Sequence, residues 1–179
     1  KASRGCAELR RGGTLMLRLA NGACGLFRAA ELADADDAID LCRLAGSEPL
    51  LVLTAPRLAS LGRSLREGYP AATVAISAQQ YTQFFDLAFS QQNMTDKDDC
   101  SIIGEQIGSL ADLSTRLLKI AKLIPAALFV HLPLRDFISQ DRLAQEHNMI
   151  TIDARDIEKY NHEADSFLKI AAKARVPLA

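Results

Sequence analysis

Two apolar runs near the start of the chain flank a strong turn signal. Residues 14–19 (TLMLRL) alternate in the manner of a strand, and residues 23–30 (ACGLFRAA) form a second run. The dipeptide Asn21-Gly22 between them favours tight turns whose backbone twist matches that of paired strands. The pattern therefore predicts a β-hairpin, preceded by a helix over residues 2–13 that ends at two glycines.

The middle of the chain alternates between helix-like and strand-like patterns. Residues 34–46 begin with acidic side chains and close with a glycine, as a capped helix does. The apolar run at residues 49–54 (PLLVLT) predicts a strand buried on both faces, near the centre of a sheet. A short helix at residues 55–61 and a strand at 72–76 follow. The next helix would present one apolar face, formed by Tyr81, Phe84, Phe85 and Ala88.

The alternation resumes after an irregular stretch. Residues 91–108 are polar and have no clear period, which is typical of a long loop. Beyond them the sequence predicts strands at 126–132 and 149–152 and helices at 136–148 and 154–175. A further helix precedes these elements, with an apolar stripe of Leu110, Leu113, Leu117, Ile120 and Ala121. Helices alternating with strands predict an α/β fold, and the N-terminal hairpin requires a mixed sheet.

Composition indicates one folded domain without a charged or membrane partner. Of the 179 residues, 49% are hydrophobic and 24% are charged, as in ordinary globular proteins. The 21 Lys and Arg residues nearly balance the 22 Asp and Glu residues, so no overall field favours nucleic acid or an anionic membrane. Apolar stretches such as residues 124–134 are shorter than the roughly 20 residues that a membrane-spanning helix needs.

The N-terminus and the cysteines bear on the compartment. Lys1 in place of Met, with no apolar signal core after it, predicts a trimmed, cytoplasmic protein. No C-x-x-C pair exists, which argues against a zinc ribbon or a redox motif. We therefore expect reduced and mostly buried thiols at Cys6, Cys24, Cys42 and Cys100.

The three histidines give few candidates for chemistry. His131, His147 and His162 are not spaced four residues apart, as a zinc-binding helix would require. His147 ends a predicted helix, where a partial positive charge complements exposed carbonyl groups. His131 follows an apolar strand, and strand ends of α/β sheets are where ligands tend to bind. A structural role is the more frequent interpretation of either residue.

Two sets of charged residues also have simple structural interpretations. The acidic stretch with Asp96, Asp98 and Asp99 does not have the central glycine and the closing glutamate of a calcium loop at the required positions. It therefore indicates a solvated loop. Three arginines near the N-terminus could hold a phosphate but more often decorate a helix surface: Arg4, Arg10 and Arg11. Neither a dinucleotide fingerprint, nor a P-loop, nor a G-x-S-x-G elbow occurs.

Residues 29–62 resemble a pattern of the 3,4-dihydroxy-2-butanone 4-phosphate synthases: A-A-E, a helix, an apolar strand, then L-T-x-x-R-x-x-x-L-G. The matching residues are Glu31, Leu53, Thr54, Arg57, Leu61 and Gly62. Residues 124–178 are similar to the family's ending, where a strand and a helix precede I-T-I-D-A-R-D-I-E-K-Y. The helix finishes in Glu146-His147-Asn148-Met149, which resembles E-H-G-L. The resemblance covers most of the chain and implies the family's mixed sheet with packed helices.

The end of the chain is similar to a junction in fused enzymes. Ala174-Arg175-Val176-Pro177 resembles the A-R-x-P segment that joins the synthase to a GTP cyclohydrolase II domain. This similarity implies that residues 1–179 are a single synthase-like domain, cut before a C-terminal cyclohydrolase domain in cis that would bind zinc. Because family members pair as homodimers, we expect a two-fold dimer.

Departures from the family pattern fall where its chemistry lies. The resemblance implies conversion of ribulose 5-phosphate to formate and dihydroxybutanone phosphate, with magnesium held by acidic and histidine side chains. Where the family has an acidic loop, D-x-x-R-E-N-E-G, residues 17–25 read LRLANGACG without a carboxylate. Residues 105–111 (EQIGSLA) lose the histidine of R-x-G-H-T-E-A, and residues 75–78 (AISA) lose the threonines of T-T-G-I-S-A. We therefore expect no catalytic, cofactor-binding or metal-binding residue in this chain.

Three hypotheses follow. The first is a catalytically silent synthase-like domain that stabilises, dimerises or regulates a GTP cyclohydrolase II. The second is a divergent active synthase with a site rebuilt from Asp96, Asp98, Asp99 and His131. The third is a small-molecule sensor that reuses the sugar phosphate pocket.

Overall fold

The computed structural model of the chain describes residues 1–75, 84–89 and 101–167, with the backbone alone for 84–86 and 161–167. Helices and strands alternate as the sequence predicts. In chain order they are α1 (Ala2–Arg10), β1 (Leu15–Arg18), β2 (Cys24–Ala29), a 3-10 turn (Ala30–Leu32), α2 (Ala35–Ala45), β3 (Leu50–Thr54), α3 (Ala55–Ser60), β4 (Ala71–Ala75), α4 (Phe84–Phe89), β5 (Ile102–Glu105), α5 (Leu110–Ile120), β6 (Ala127–Leu132), α6 (Phe137–Glu146), β7 (Ile150–Asp153) and α7 (Ala154–Phe167).

The seven strands form one mixed sheet in the order β5-β4-β3-β6-β2-β1-β7. Only β1 and β7 run parallel, and every other neighbouring pair is antiparallel. The predicted α/β class with a mixed sheet is confirmed. We call the end of the sheet that carries the β1–β2 turn the turn end, and the other end the opposite end. The carboxyl ends of β1, β6 and β7 all lie at the turn end.

Helices cover both faces of the sheet because strand side chains alternate between them. One core lies between the sheet and helices α2, α3, α4 and α6, and it includes Leu26, Leu41 and Leu128. The second core lies between the sheet and helices α1, α5 and α7, and it includes Phe27, Leu117 and Phe129. Most side chains of α5 are buried, so this helix forms the centre of the second core.

The hairpin and the caps of α2 form as their sequence signals predict. β1 and β2 are antiparallel, and Gly22 in the turn has φ +85°. At the start of α2, Asp34 and Asp37 form a reciprocal capping box: each carboxylate accepts from the other's backbone N–H, at 2.9 and 3.1 Å. Gly46 closes the helix in the left-handed conformation with φ +67°.

Two predictions about strands need correction. Residues 102–105, predicted as part of a long loop, form the edge strand β5 against β4. The stretch contains Gly104 and is only half-buried, so its strand conformation depends on pairing with β4 and leaves no periodic signal. The second correction concerns β3, which is an interior strand as predicted, whereas the central position belongs to β6. The predicted face of Tyr81, Phe84 and Phe85 lies outside the described side chains, and Ala88 is buried.

Candidate functional site

Arg18 organises the charged cluster at the turn end. It is the last residue of β1, and its side chain is 13% exposed. Its Nε donates to Oδ1 of Asp153, the last residue of β7, and its Nη1 donates to Oδ1 of Asp141 on α6 at 2.7 Å. The guanidinium carbon lies 5.1 Å from the ring centroid of Phe137, in cation–π contact. One cation therefore connects three elements.

Asp153 is held by two cations. Its Oδ2 lies 3.6 Å from Nζ of Lys1, in addition to the contact of Oδ1 with Arg18. Burial raises the pKa of this carboxyl, but the hydrogen bonds and charges of Arg18 and Lys1 outweigh burial and lower its pKa below the usual 3.8. The same hydrogen bond raises the pKa of the guanidinium against the effect of its own burial. Both groups are therefore ionised at neutral pH.

The β1–β2 turn is closed by its own backbone. The N–H of Leu19 donates to the carbonyl of Ala23 at 2.8 Å, and the N–H of Gly22 donates to the carbonyl of Leu19 at 3.1 Å. Oδ1 of Asn21 accepts from the N–H of Ala23 at 3.0 Å. The turn is thus short, and none of its residues carries a carboxylate that could bind a cation.

A buried glutamine ties this turn to α6. Gln140 is 0% exposed, and its Nε2 donates to the carbonyl of Gly22 at 2.9 Å and to that of Leu134 at 3.3 Å. A Cβ at Gly22 would lie 2.4 Å from the carbonyl oxygen of Arg135. Only glycine therefore fits where the turn meets the segment that leads into α6.

A small cavity lies beside this cluster. Its volume is about 60 Å³, and it is lined by Arg18, Leu19, Ala20, Phe137, Asp153, Ala154 and Arg155. A water molecule needs at least 10–15 Å³ of such space, whereas small-molecule pockets usually measure about 300–1,000 Å³. The cavity can hold a few waters and is too small for a five-carbon sugar phosphate.

Among the described side chains, neither His131 nor His147 belongs to a metal-binding group with the carboxylates. His131 is the penultimate residue of β6, with an exposed side chain whose ring meets that of Phe129 edge-on at 4.8 Å. Partial covering of the ring lowers its pKa below 6.5. His147 is the residue that caps the end of α6, as the sequence predicts. The side chain of His162 lies outside the described part of the chain.

The other candidates from the sequence have separate positions. Arg10 donates through Nε to the carbonyl of Ala121 at 2.8 Å, and Arg11 lies 3.9 Å from Glu8. Arg4 lines a different groove, so the three N-terminal arginines do not form one phosphate site. The acidic residues 96, 98 and 99 fall outside the described residues. Within residues 1–75, 87–89 and 101–160, no three His, Cys, Asp or Glu side chains are grouped to hold a metal ion.

Comparison with known proteins assigns the fold. A two-domain 3,4-dihydroxy-2-butanone 4-phosphate synthase from A. baumannii superposes with a TM-score of 0.72 at 15% identity, over 90% of this chain and 57% of that one. The corresponding synthase of Candida albicans superposes with a TM-score of 0.70 at 15% identity, over 89% and 96%. A synthase in complex with two magnesium ions gives 0.70 at 12% identity, over 93% and 98%. This chain has the synthase fold.

Sequence comparison points to a second enzyme name. A GTP cyclohydrolase-2 from Azospirillum brasilense is 27% identical in an alignment of 180 positions that covers 98% of this chain and 46% of that protein. The chain thus spans less than half the length of this curated relative. No family model matches the chain. In the described residues no helix is long and apolar enough to span a membrane.

Residues that match the synthase pattern hold the scaffold together. Glu31 accepts through Oε1 from the N–H of Ile124 at 2.8 Å. Arg57 donates to the carbonyl of Leu87 through Nε at 3.1 Å and Nη2 at 2.9 Å. These hydrogen bonds join segments that are far apart in the chain. The match of Glu31 and Arg57 to the synthase pattern is therefore evidence for a shared fold.

Sequence reasoning missed two buried polar residues. Asp112 on α5 is 4% exposed, and its Oδ2 accepts from the N–H of Gly108 at 2.9 Å. The spacing from Ser109, whose hydroxyl accepts from the N–H of Asp112, matches a helix-start signal that could have identified this carboxylate. Gln140 has no comparable local signal, because its partners are carbonyls of the β1–β2 turn and of the segment before α6.

Proposed function

We propose that this chain is a non-catalytic 3,4-dihydroxy-2-butanone 4-phosphate synthase-like domain that acts in riboflavin biosynthesis, in the cytoplasm, as part of a GTP cyclohydrolase II. Its role there is to stabilise, pair or regulate the active partner. The fold and the similarity of almost the whole chain to a GTP cyclohydrolase-2 support the pathway. The turn end supports the non-catalytic role.

The observation that carries the proposal is the β1–β2 turn. By the resemblance, residues 17–25 correspond to the acidic loop of the synthases, and here they form a tight turn closed by the Leu19–Ala23 hydrogen bond. Arg18 supplies a guanidinium beside this turn. A fixed positive charge disfavours a divalent cation, and it leaves substrate oxygens without the metal that the family's chemistry needs.

The residues present do not fit a magnesium ion. Magnesium requires oxygen ligands in near-octahedral geometry at about 2.0–2.1 Å. The two carboxylates beside the guanidinium, Asp141 and Asp153, are both engaged by Arg18. Binding a cation between them would require displacement of the guanidinium. We derive no catalytic step through this position.

An assay of the 179-residue chain with ribulose 5-phosphate and magnesium tests the proposal. We expect formate release no greater than in the protein-free control. A clear release of formate that is lost in His131→Ala would overturn the non-catalytic role and favour the divergent active synthase. Thermal shift with pathway metabolites provides a second arm, because a stabilising metabolite without turnover would identify the domain as a sensor.

The place of the domain in a larger protein has its own test. Reading the gene beyond residue 179 should show a GTP cyclohydrolase II domain with three cysteines spaced for one zinc ion. A gene that encodes no such domain would contradict the cis partnership. The pairing role predicts a two-fold dimer in sedimentation experiments, and a monomer at tens of micromolar would contradict that role.

A further inference from the structure

Arg18 links elements that are far apart in the chain. Its partners Asp141 and Asp153 lie 123 and 135 residues away, on α6 and at the end of β7. Asp153 also marks the start of α7, because its backbone N–H donates to Oδ2 of Asp156 in the first turn of that helix, at 3.3 Å. The guanidinium is thus bonded to the residue from which α7 begins.

Two consecutive residues of α6 form hydrogen bonds with the hairpin. Asp141 accepts from Arg18, and Gln140 donates to the carbonyl of Gly22 in the turn. Gln140 is fully buried, and its Oε1 has no partner among the described residues. A buried acceptor without a partner is unfavourable, so the two donated hydrogen bonds must outweigh that cost for this arrangement to persist.

We infer that Arg18 is a latch that joins the β1–β2 turn, the first half of α6 and the start of α7 into one unit that opens as a whole. Opening of the turn removes the carbonyl to which Gln140 donates and displaces Arg18 from both carboxylates. The small cavity beside Arg18 then admits water to Asp153. In this way the state of the turn reaches α7.

Hydrogen exchange of the 179-residue chain, followed by mass spectrometry, tests the latch. Arg18→Met keeps the apolar stem and removes both ion pairs. We expect exchange to become about tenfold faster in the turn (residues 19–23), in α6 and in residues 154–160 together, because cooperative units exchange as one. Faster exchange in only one of the three segments would overturn the inference.

Arg28→Met is the matched control. Arg28 lies on β2 and is similarly buried, with 20% of its side chain exposed, and it pairs with Asp37. Its loss should accelerate exchange near residues 11–14 and 34–38 and leave the three latch segments unchanged. Equal acceleration of the latch segments by Arg28→Met would show general destabilisation and defeat the inference.

Asp141→Asn covers the case in which Arg18→Met does not fold. Asp141 is 53% exposed, so its replacement removes one bond of the latch and leaves the core intact. We expect a smaller acceleration than in Arg18→Met, shared equally by the turn, α6 and residues 154–160, and an unchanged α7 would contradict the latch. No substrate is involved, so failure here leaves the proposed function standing, and formate release would leave the latch standing.

Discussion

The hairpin carries one partly buried arginine near each end of the sheet, and the two are bound in different ways. At the turn end Arg18 pairs with carboxylates 123 and 135 residues away. Near the opposite end Arg28 donates to the carboxylate of Asp37 and the carbonyl of Gly12, which are only 9 and 16 residues away. Their side chains are similarly exposed, at 13% and 20%.

The difference separates contacts between residues that are close in the chain from contacts that form only in the folded sheet. Near the opposite end, the contacts of the Arg28 side chain are local, with partners 9 and 16 residues away. At the turn end, long-range contacts of Arg18 and Gln140 hold the β1–β2 turn. Local contacts need little loop closure and tolerate divergence elsewhere, whereas the turn end depends on the whole fold being formed.

The largest expected effect comes from glycines at the two ends. Gly22→Ala should lower the free energy of unfolding by about 3 kcal/mol, because it combines left-handed strain with a Cβ 2.4 Å from a backbone oxygen. Gly12→Ala should lower it by about 1–2 kcal/mol, since Gly12 has a similar φ of +78° but its nearest neighbour is 3.6 Å away. Urea denaturation measures both. Equal losses would show that the turn end can relax.

Acid titration of stability addresses the carboxylate that Arg18 holds. The pKa of Asp153 is lower in the folded chain than its usual 3.8, so its contribution is present above about pH 4 and is lost as the pH falls through the folded value. Asp153→Asn should cost about 2 kcal/mol at pH 7, in the range of a hydrogen bond to a charged group. The gap to wild type should narrow between pH 4 and pH 2.

Asp40→Asn provides the control for this titration. Asp40 lies on the exposed side of α2 and its side chain is 66% exposed, so its replacement removes a carboxylate that pairs with an exposed arginine, Arg43, in place of a buried one. Denaturation curves at several pH values compare the variants. A gap for Asp153→Asn that stays constant down to pH 2 would show that the ion pair with Arg18 contributes nothing to acid sensitivity.

Local signals made much of this fold predictable. Asn21-Gly22 specifies the tight turn, and Gly46 with Asp34 specifies the two ends of α2, because in each case the interacting groups are a few residues apart. The match of residues 29–62 to the synthase pattern is likewise visible within one short stretch of the sequence. Strand β5 has no such signal, because its conformation depends on pairing with β4.

The turn end could not be predicted from the sequence, since its contacts exist only once the fold has formed. Arg18 gives no sign that its partners lie on α6 and β7, and Gln140 reads as an ordinary polar helix residue although it is fully buried. The absence of a carboxylate in residues 17–25 was visible in the sequence. Only the structure shows that a guanidinium lies beside the turn and that it binds both nearby carboxylates.

Helix caps at the two ends give a smaller effect. Asp34→Ala, near the opposite end, removes a reciprocal capping box and should lower the free energy of unfolding by about 1 kcal/mol. Asp136→Ala, at the turn end, removes a single bond from the N–H of Ser139 at 2.7 Å and should have a smaller effect. Thermal unfolding by circular dichroism separates them. A larger loss of unfolding free energy for Asp136→Ala would show that α6 depends more on its N-terminal cap than on its hydrogen bonds with the hairpin.

The smallest effect is expected for an arginine that is paired but exposed. Arg43 on α2 lies 3.3 Å from Asp40, with 76% of its side chain exposed, so its charge is solvated in both folded and unfolded chains. Arg43→Met should change the free energy of unfolding by at most about 0.5 kcal/mol. Arg28→Met should lower it by about 2 kcal/mol, because it leaves the largely covered carboxylate of Asp37 without its cation. Urea denaturation of both variants decides whether burial or pairing sets the strength of these contacts. Equal losses would mean that pairing alone matters, and the contrast between the two hairpin arginines would then rest only on which elements they join.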